Sequence, residues 1–128
     1  MSARNSLRVL VVDDMAASRG VMVNTLENFG IKNVFNQASA DEALSFIMKT
    51  PVHLIMADYH MPKRSGLDLL KAIRSNRQTN RTGFILVSGT ADEQVINQGR
   101  QLGMNNFIAK PFTPVSYTHL TLPTKRIV

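Results

Sequence analysis

The sequence predicts an α/β fold: a doubly wound, five-stranded parallel sheet with helices on both faces. Two observations predict it. Five short apolar runs rich in Val, Ile and Leu recur along the chain, and segments with helically spaced apolar residues separate them. Runs of this length and branching read as buried strands, and strict alternation with helices implies parallel pairing. A third observation adds direction. Asp13, Asp14, Asp58, Ser88 and Lys110 all fall where a run ends. Open α/β sheets bind ligands at the carboxyl ends of their strands.

Each element has its own signal. Residues 7–12 are nearly all apolar and stop at Asp13–Asp14. Residues 15–29 carry Met22, Leu26 and Phe29 at helical spacing, and Gly30 stands where a helix-terminating glycine is expected. Residues 33–38 make a more polar, weaker strand. Ser39 with Glu42 three positions on is a capping-box pattern, opening a helix that carries Ala40, Ala43, Leu44 and Ile47 and stops before Pro51. Residues 53–57 form the third strand and end at Asp58. A loop over 59–65 follows, and Gly66 opens a helix with Leu67, Leu70 and Ile73. Residues 84–87 are the fourth strand, 91–102 the fourth helix and 106–109 the fifth strand, which ends at Lys110–Pro111.

Composition narrows the function. The 128 residues are one domain's worth of chain and bury enough surface to fold without a staple. There is no cysteine, which excludes disulfides, thiolate zinc sites and cysteine nucleophiles. No apolar run reaches the ~18 residues of a membrane span, and the first eight residues lack a signal-peptide core. A soluble cytoplasmic protein without a membrane partner is expected. The net charge is +6, from 15 Lys and Arg against 9 Asp and Glu. Lys63, Arg64, Lys71, Arg74, Arg77 and Arg81 cluster around the third helix, where a solvated face is the default and an acidic partner the sharper alternative. Helix-turn-helix signals are absent, so direct nucleic-acid binding is not expected.

The strand-end residues suggest one chemistry. Three converging carboxylates repel each other, and a hard divalent cation such as Mg²⁺ relieves the conflict. Magnesium readily shares its site with phosphate oxygens. A carboxylate can then act as nucleophile toward phosphorus, giving an aspartyl-phosphate. Asp58, alone on the central strand, is favoured as nucleophile, and the Asp13–Asp14 pair as metal ligands. Lys110 can pair with one phosphoryl oxygen and the Ser88 hydroxyl can donate to another. Any one of these residues could be an ordinary cap or turn residue. Four strand ends carrying them together make coincidence a poor explanation.

The chain resembles the receiver domain of bacterial two-component response regulators, of the chemotaxis type. The resemblance covers about residues 7–114. It rests on Val11–Val12–Asp13–Asp14, on Asp58–Tyr59–His60–Met61–Pro62 with Gly66 behind it, on Val87–Ser88 and on Lys110–Pro111–Phe112. It implies strand order 2-1-3-4-5. It implies that Asp58 accepts a phosphoryl group from a sensor histidine kinase or a histidine phosphotransfer protein. Asp13, Asp14, Asp58 and the backbone carbonyl of His60 would hold Mg²⁺. Ser88 and Lys110 would bind phosphoryl oxygens. Ser88 and Phe107 would be the switch pair, the Phe107 ring turning inward when Ser88 is drawn to the phosphoryl group. The fourth-helix and fifth-strand face would contact a downstream target. The resemblance also implies a cis Lys110–Pro111 bond and a tuning of phosphoryl lifetime by His60 and Thr90.

The end of the chain departs from that pattern. The family closes with an amphipathic fifth helix, whereas residues 115–128 are Thr-rich, carry Pro123 and lack a sustained helical period. A receiver domain over 1–114 and an atypical, non-native tail over 115–128 are expected, with the fifth helix short, irregular or missing. Three other readings compete. A larger transcriptional or enzymatic regulator would share this N-terminal receiver. A receiver-like interaction domain independent of phosphate would have lost Asp58 or Lys110, and both are present. A haloacid-dehalogenase-like phosphatase would place a D-x-D motif after the first strand, where this chain has Asp13–Asp14–Met15. A phosphoacceptor that catalyses only its own phosphoryl transfer and loss, rather than an enzyme, is the leading expectation.

Overall fold

The computed structural model describes residues 6–89 and 92–110. Among the described residues nine elements alternate: β1 (Arg8–Val12), α1 (Ala16–Asn28), β2 (Asn33–Gln37), α2 (Ala40–Lys49), β3 (Leu54–Asp58), α3 (Gly66–Ser75), β4 (Gly83–Ser88), α4 (Glu93–Leu102) and β5 (Asn106–Ala109). All five strands are parallel, in the order β2-β1-β3-β4-β5. The predicted sheet and its order are therefore observed. The expectations for the fifth helix, the boundary at 114, the Lys110–Pro111 bond and Thr90 lie outside the described residues.

The pleat divides the apolar runs between two cores. Successive strand residues point to opposite faces. On one face Leu10, Val12, Ile55, Ala57, Phe84 and Leu86 pack with Ala43 and Ile47 of α2, Leu70 and Ile73 of α3 and Val95 of α4. On the other, Val9, Val11, Leu54, Met56, Ile85 and Val87 pack with Met22 and Leu26 of α1. Burial on both faces explains why β1, β3 and β4 read as continuous apolar runs. β2 lies at an edge and is only partly buried, so Asn33, Asn36 and Gln37 are tolerated there.

Helix ends follow local chemistry. The Ser39 hydroxyl accepts from the Glu42 N–H at 3.1 Å, the N-cap the sequence predicts, but the Glu42 carboxylate accepts from that hydroxyl at 3.3 Å rather than from the Ser39 N–H, so the capping box is only half formed. A second, reciprocal cap opens α3. The Ser65 hydroxyl accepts from the Asp68 N–H at 3.2 Å, and the Asp68 carboxylate accepts from the Ser65 N–H at 2.9 Å. α4 starts at Glu93 rather than at 91, because the Asp92 side chain accepts from the Gln94 N–H and so stands outside the helix as its cap. Phe29 also departs from expectation. It follows α1 as its C-cap, ahead of Gly30 at φ 90°, and lies exposed rather than in the core.

The basic cluster is not one solvated face. Arg64 pairs with Asp41 at 2.8 Å on the surface. Arg74 is half-buried and donates to the carbonyls of Gly103, Asn80 and Thr82 and to Asn105 Oδ1, at 2.6–3.2 Å. Asn105 Oδ1 also accepts from the Phe84 N–H at 2.7 Å. Arg74 thus ties the end of α3 to the approaches of β4 and β5. Burial pushes its guanidinium below the usual pKa, and a guanidinium whose donors are spent mainly on main-chain carbonyls is structural, not a surface for a partner.

Candidate functional site

Pairing geometry delivers the predicted residues to one place. Asp58 is the last residue of β3 and pairs in register with Val87, one residue before Ser88. The ladder continues past both strands: the Tyr59 N–H donates to the Val87 carbonyl at 2.7 Å, and the Lys110 N–H to the Ser88 carbonyl at 2.8 Å. Asp13 follows β1, and its N–H donates to the Gln37 carbonyl of β2 at 3.2 Å. Asp13, Asp58, Ser88 and Lys110 are thus held at the last rungs of the parallel ladders.

Behind Asp58 the chain turns into α3 through a close approach. The Gly66 N–H donates to the Tyr59 carbonyl at 3.0 Å. A Cβ on Gly66 would lie 2.6 Å from the Asp58 carbonyl oxygen and 2.8 Å from Leu86 Cδ1. Only glycine lets the helix begin this close to the strand end.

The three carboxylates meet. Asp13, Asp14 and Asp58 each offer an oxygen within 4.8 Å of the others. Asp13 and Asp58 are buried, and Asp14 is exposed at the mouth. The Lys110 Nζ lies 3.3 Å from Asp13 Oδ2 and 3.4 Å from Asp58 Oδ2. Three carboxylates against one ammonium leave two negative charges, the charge of one divalent cation. Oxygen donors at this spacing fit Mg²⁺, which favours carboxylates and retains waters. A shallow cleft of about 390 Å³, lined by Asp14, Tyr59, His60, Met61, Pro62 and Ser65, opens the cluster to solvent.

Burial dominates the electrostatics of Asp58 and holds its carboxyl above the usual pKa. The Lys110 ammonium opposes that, the Asp13 carboxylate reinforces it, and hydrogen bonds from Lys110 and the His60 N–H again oppose it. Desolvation therefore leaves Asp58 short of compensating positive charge. An added cation would supply it.

The remaining sequence-predicted residues are also in place. Ser88 ends β4 fully buried, and Ala109 on β5 is its register partner. Phe107 pairs in register with Leu86 and packs half-buried against the core on the α2–α4 side. His60 is exposed, its ring edge-on to Tyr59 with centroids 4.7 Å apart. Sequence reasoning missed Arg19. Its Nη1 donates to the Asp13 carbonyl at 2.7 Å and its Nε to Asn36 Oδ1 at 3.1 Å. No sequence signal marks a bond whose acceptor is a main-chain carbonyl.

Comparison with known proteins agrees with this arrangement. A family profile described as the response regulator receiver domain matches residues 9–120. A probable chemotaxis protein CheY of Rhizobium etli is 34% identical over 113 residues, covering 88% of each chain. A chemotaxis protein CheY homolog of Campylobacter jejuni is 31% identical, covering 84% of each. Among solved structures, Vibrio cholerae chemotaxis protein CheY4 superposes with a TM-score of 0.81 at 28% identity, over 88% of this chain and 92% of that one. A response regulator receiver protein from Pseudomonas putida gives 0.80 at 30% identity, over 92% and 95%. Sheet order, the acid cluster with its lysine and the sequence match across most of the chain agree: this protein belongs to the family of response regulator receiver domains.

Proposed function

We propose that this chain is a phosphorylation-controlled signalling module whose acceptor is Asp58. One observation carries the reading. Asp58 is a buried carboxylate facing a lysine ammonium and two further carboxylates at the carboxyl edge of the sheet. That is a place prepared for a phosphoryl group and a divalent cation together.

In this reading an Asp58 carboxylate oxygen attacks the phosphorus of a donor phosphohistidine. The new O–P bond forms as the N–P bond breaks, and the electron pair stays with the histidine nitrogen. The donor is a sensor histidine kinase or a histidine phosphotransfer protein. Asp13, Asp14, Asp58 and the His60 backbone carbonyl would hold Mg²⁺, and the ion when bound would supply positive charge beside the phosphoryl oxygens. Lys110, already between Asp13 and Asp58, pairs with one phosphoryl oxygen. The Ser88 hydroxyl takes another. Water later cleaves the acyl phosphate, so the chain turns over only its own phosphoryl group.

Output follows from the other side of the same residues. Ser88 and Ala109 are in register, and Phe107 lies two residues before Ala109. Drawing Ser88 toward the phosphoryl group lets the half-buried Phe107 ring move inward. The α4–β5 face then changes shape for a downstream target protein. Among the described residues no helix is long and apolar enough to cross a membrane, which suits a module that meets its kinase in the cytoplasm.

The test is the intact mass of the protein after incubation with acetyl phosphate and Mg²⁺. The expected result is a gain of one phosphoryl group that EDTA abolishes and Asp58→Asn lacks. A folded protein that gains nothing, or that gains equally in Asp58→Asn, overturns the reading.

A further inference from the structure

We propose that Arg19 is a positioning residue for the metal-binding acid pair, holding the Asp13–Asp14 turn through its main chain. The proposal rests on the reading of Asp13 and Asp14 as Mg²⁺ ligands. Arg19 lies in the first turn of α1, and its own N–H donates to the Met15 carbonyl at 2.9 Å. Its side chain folds back over that turn. Nη1 reaches the Asp13 carbonyl at 2.7 Å while Nε reaches Asn36 Oδ1 on β2 at 3.1 Å. The guanidinium is a rigid planar fork, so two donors at fixed spacing set the acid turn against the edge strand.

The pattern of contacts at Asp13 shows why this bond matters. Its Oδ1 accepts from the Met15 N–H at 3.0 Å, and its Oδ2 from Lys110 at 3.3 Å. Both acceptors are the oxygens a metal ion would compete for. The Arg19 bond goes to the main-chain carbonyl instead and does not compete. The Asp13 N–H bond to Gln37 behaves likewise. When a cation takes the carboxylate oxygens, the turn is still held by Arg19 on one side and by β2 on the other. Arg19 also carries a permanent positive charge, which by itself disfavours a nearby cation, so its support of metal binding is geometric.

A lysine would keep that charge but offers a point donor in place of the fork. Arg19→Lys therefore separates charge from geometry, and Asn36→Ala removes one arm without touching charge. Outer contacts that orient metal ligands typically change metal affinity about 10–100-fold when removed.

The experiment is a calorimetric titration with Mg²⁺ alone, without phosphodonor, on the parent, Arg19→Ala, Arg19→Lys, Asn36→Ala and Asp14→Asn. Thermal unfolding of each is measured in EDTA alongside. The expected result is a Kd raised about tenfold in Arg19→Ala, with Arg19→Lys and Asn36→Ala between it and the parent. Should Arg19→Ala fail to fold, those two variants carry the test. Variants that lose stability in EDTA but bind Mg²⁺ with the parental Kd would overturn the proposal and leave Arg19 a stability residue. If the parent binds and Asp14→Asn does not, that failure leaves the metal reading standing. If the parent itself binds no Mg²⁺, the metal reading falls and the proposal with it.

Discussion

Two glycine-to-alanine substitutions should move stability in opposite directions, and the difference tests how tightly α3 abuts the acceptor strand. At Gly66 the added Cβ would lie 2.6 Å from the Asp58 carbonyl oxygen, 2.8 Å from Leu86 Cδ1 and 3.1 Å from the Asp58 carbonyl carbon. Two of those three atoms are backbone at the end of a central strand and cannot yield cheaply. Overpacking of this kind costs about 1–3 kcal/mol. The helix-propensity gain is small here, since Gly66 is the first residue of α3. At Gly20, inside α1, the same Cβ meets nothing within 4 Å. There the gain is up to about 1 kcal/mol, from helix propensity and a less flexible unfolded chain. For a chain of this length the Tm should fall by about 4–12 °C in Gly66→Ala and rise by up to about 4 °C in Gly20→Ala. Circular dichroism melts in EDTA read both. Phosphoryl acceptance from acetyl phosphate should also fall in Gly66→Ala, because the displaced atoms belong to Asp58. A Gly66→Ala protein as stable as the parent would refute the close approach.

Other expectations follow from the same site and its supports. Burial raises the Asp58 pKa, so its contribution favours the folded state below the unfolded carboxylate range and is lost as pH rises through the raised folded value. In EDTA at neutral pH, Asp58→Asn should therefore resist urea better than the parent, the advantage shrinking on acidification; a less stable Asp58→Asn at pH 7 would contradict this. Magnesium at ten times its Kd should stabilise the parent by about 1.4 kcal/mol, a shift that EDTA removes and Asp14→Asn lacks in melting experiments. Arg74→Ala should cost about 2–4 kcal/mol in urea unfolding because it strands several main-chain carbonyls, whereas Lys71→Ala on the same helix should stay within about 0.5 kcal/mol. Ser65→Ala should cost about 1 kcal/mol through loss of the α3 cap.

The sheet and the acid site were readable because their signals lie in side-chain identity along the chain. Burial on both faces forces the interiors of β1, β3 and β4 to be apolar, and that pattern survives in a linear string. The site residues follow the strands that deliver them, so locating strand ends located Asp13, Asp14, Asp58, Ser88 and Lys110 together. Ser65-x-x-Asp68 before an apolar run carries the same signal as Ser39-x-x-Glu42, and it is at Ser65, not Ser39, that the reciprocal box forms in full. Phe29 shows the opposite failure. Helical spacing alone placed it inside, but the chain leaves the helix at that residue, and the spacing no longer sets its direction.

Arg19 and Arg74 mark a deeper limit, and the limit is physical. Both donate to main-chain carbonyls: Arg19 to that of Asp13, Arg74 to those of Gly103, Asn80 and Thr82. Every residue has a carbonyl, so the acceptor leaves no trace in the sequence. A basic residue near a helix end therefore reads as solvated surface unless the fold is already known. The consequence differs between the two. Arg74 joins the ends of elements far from the acids, and its loss should appear in stability. Arg19 ends on the carbonyl of a residue whose carboxylate faces Lys110 and Asp58, so its loss should appear first in how the acid pair meets a cation. Composition would count the two as equal charges; the atoms they reach separate a strut of the fold from a support of the site.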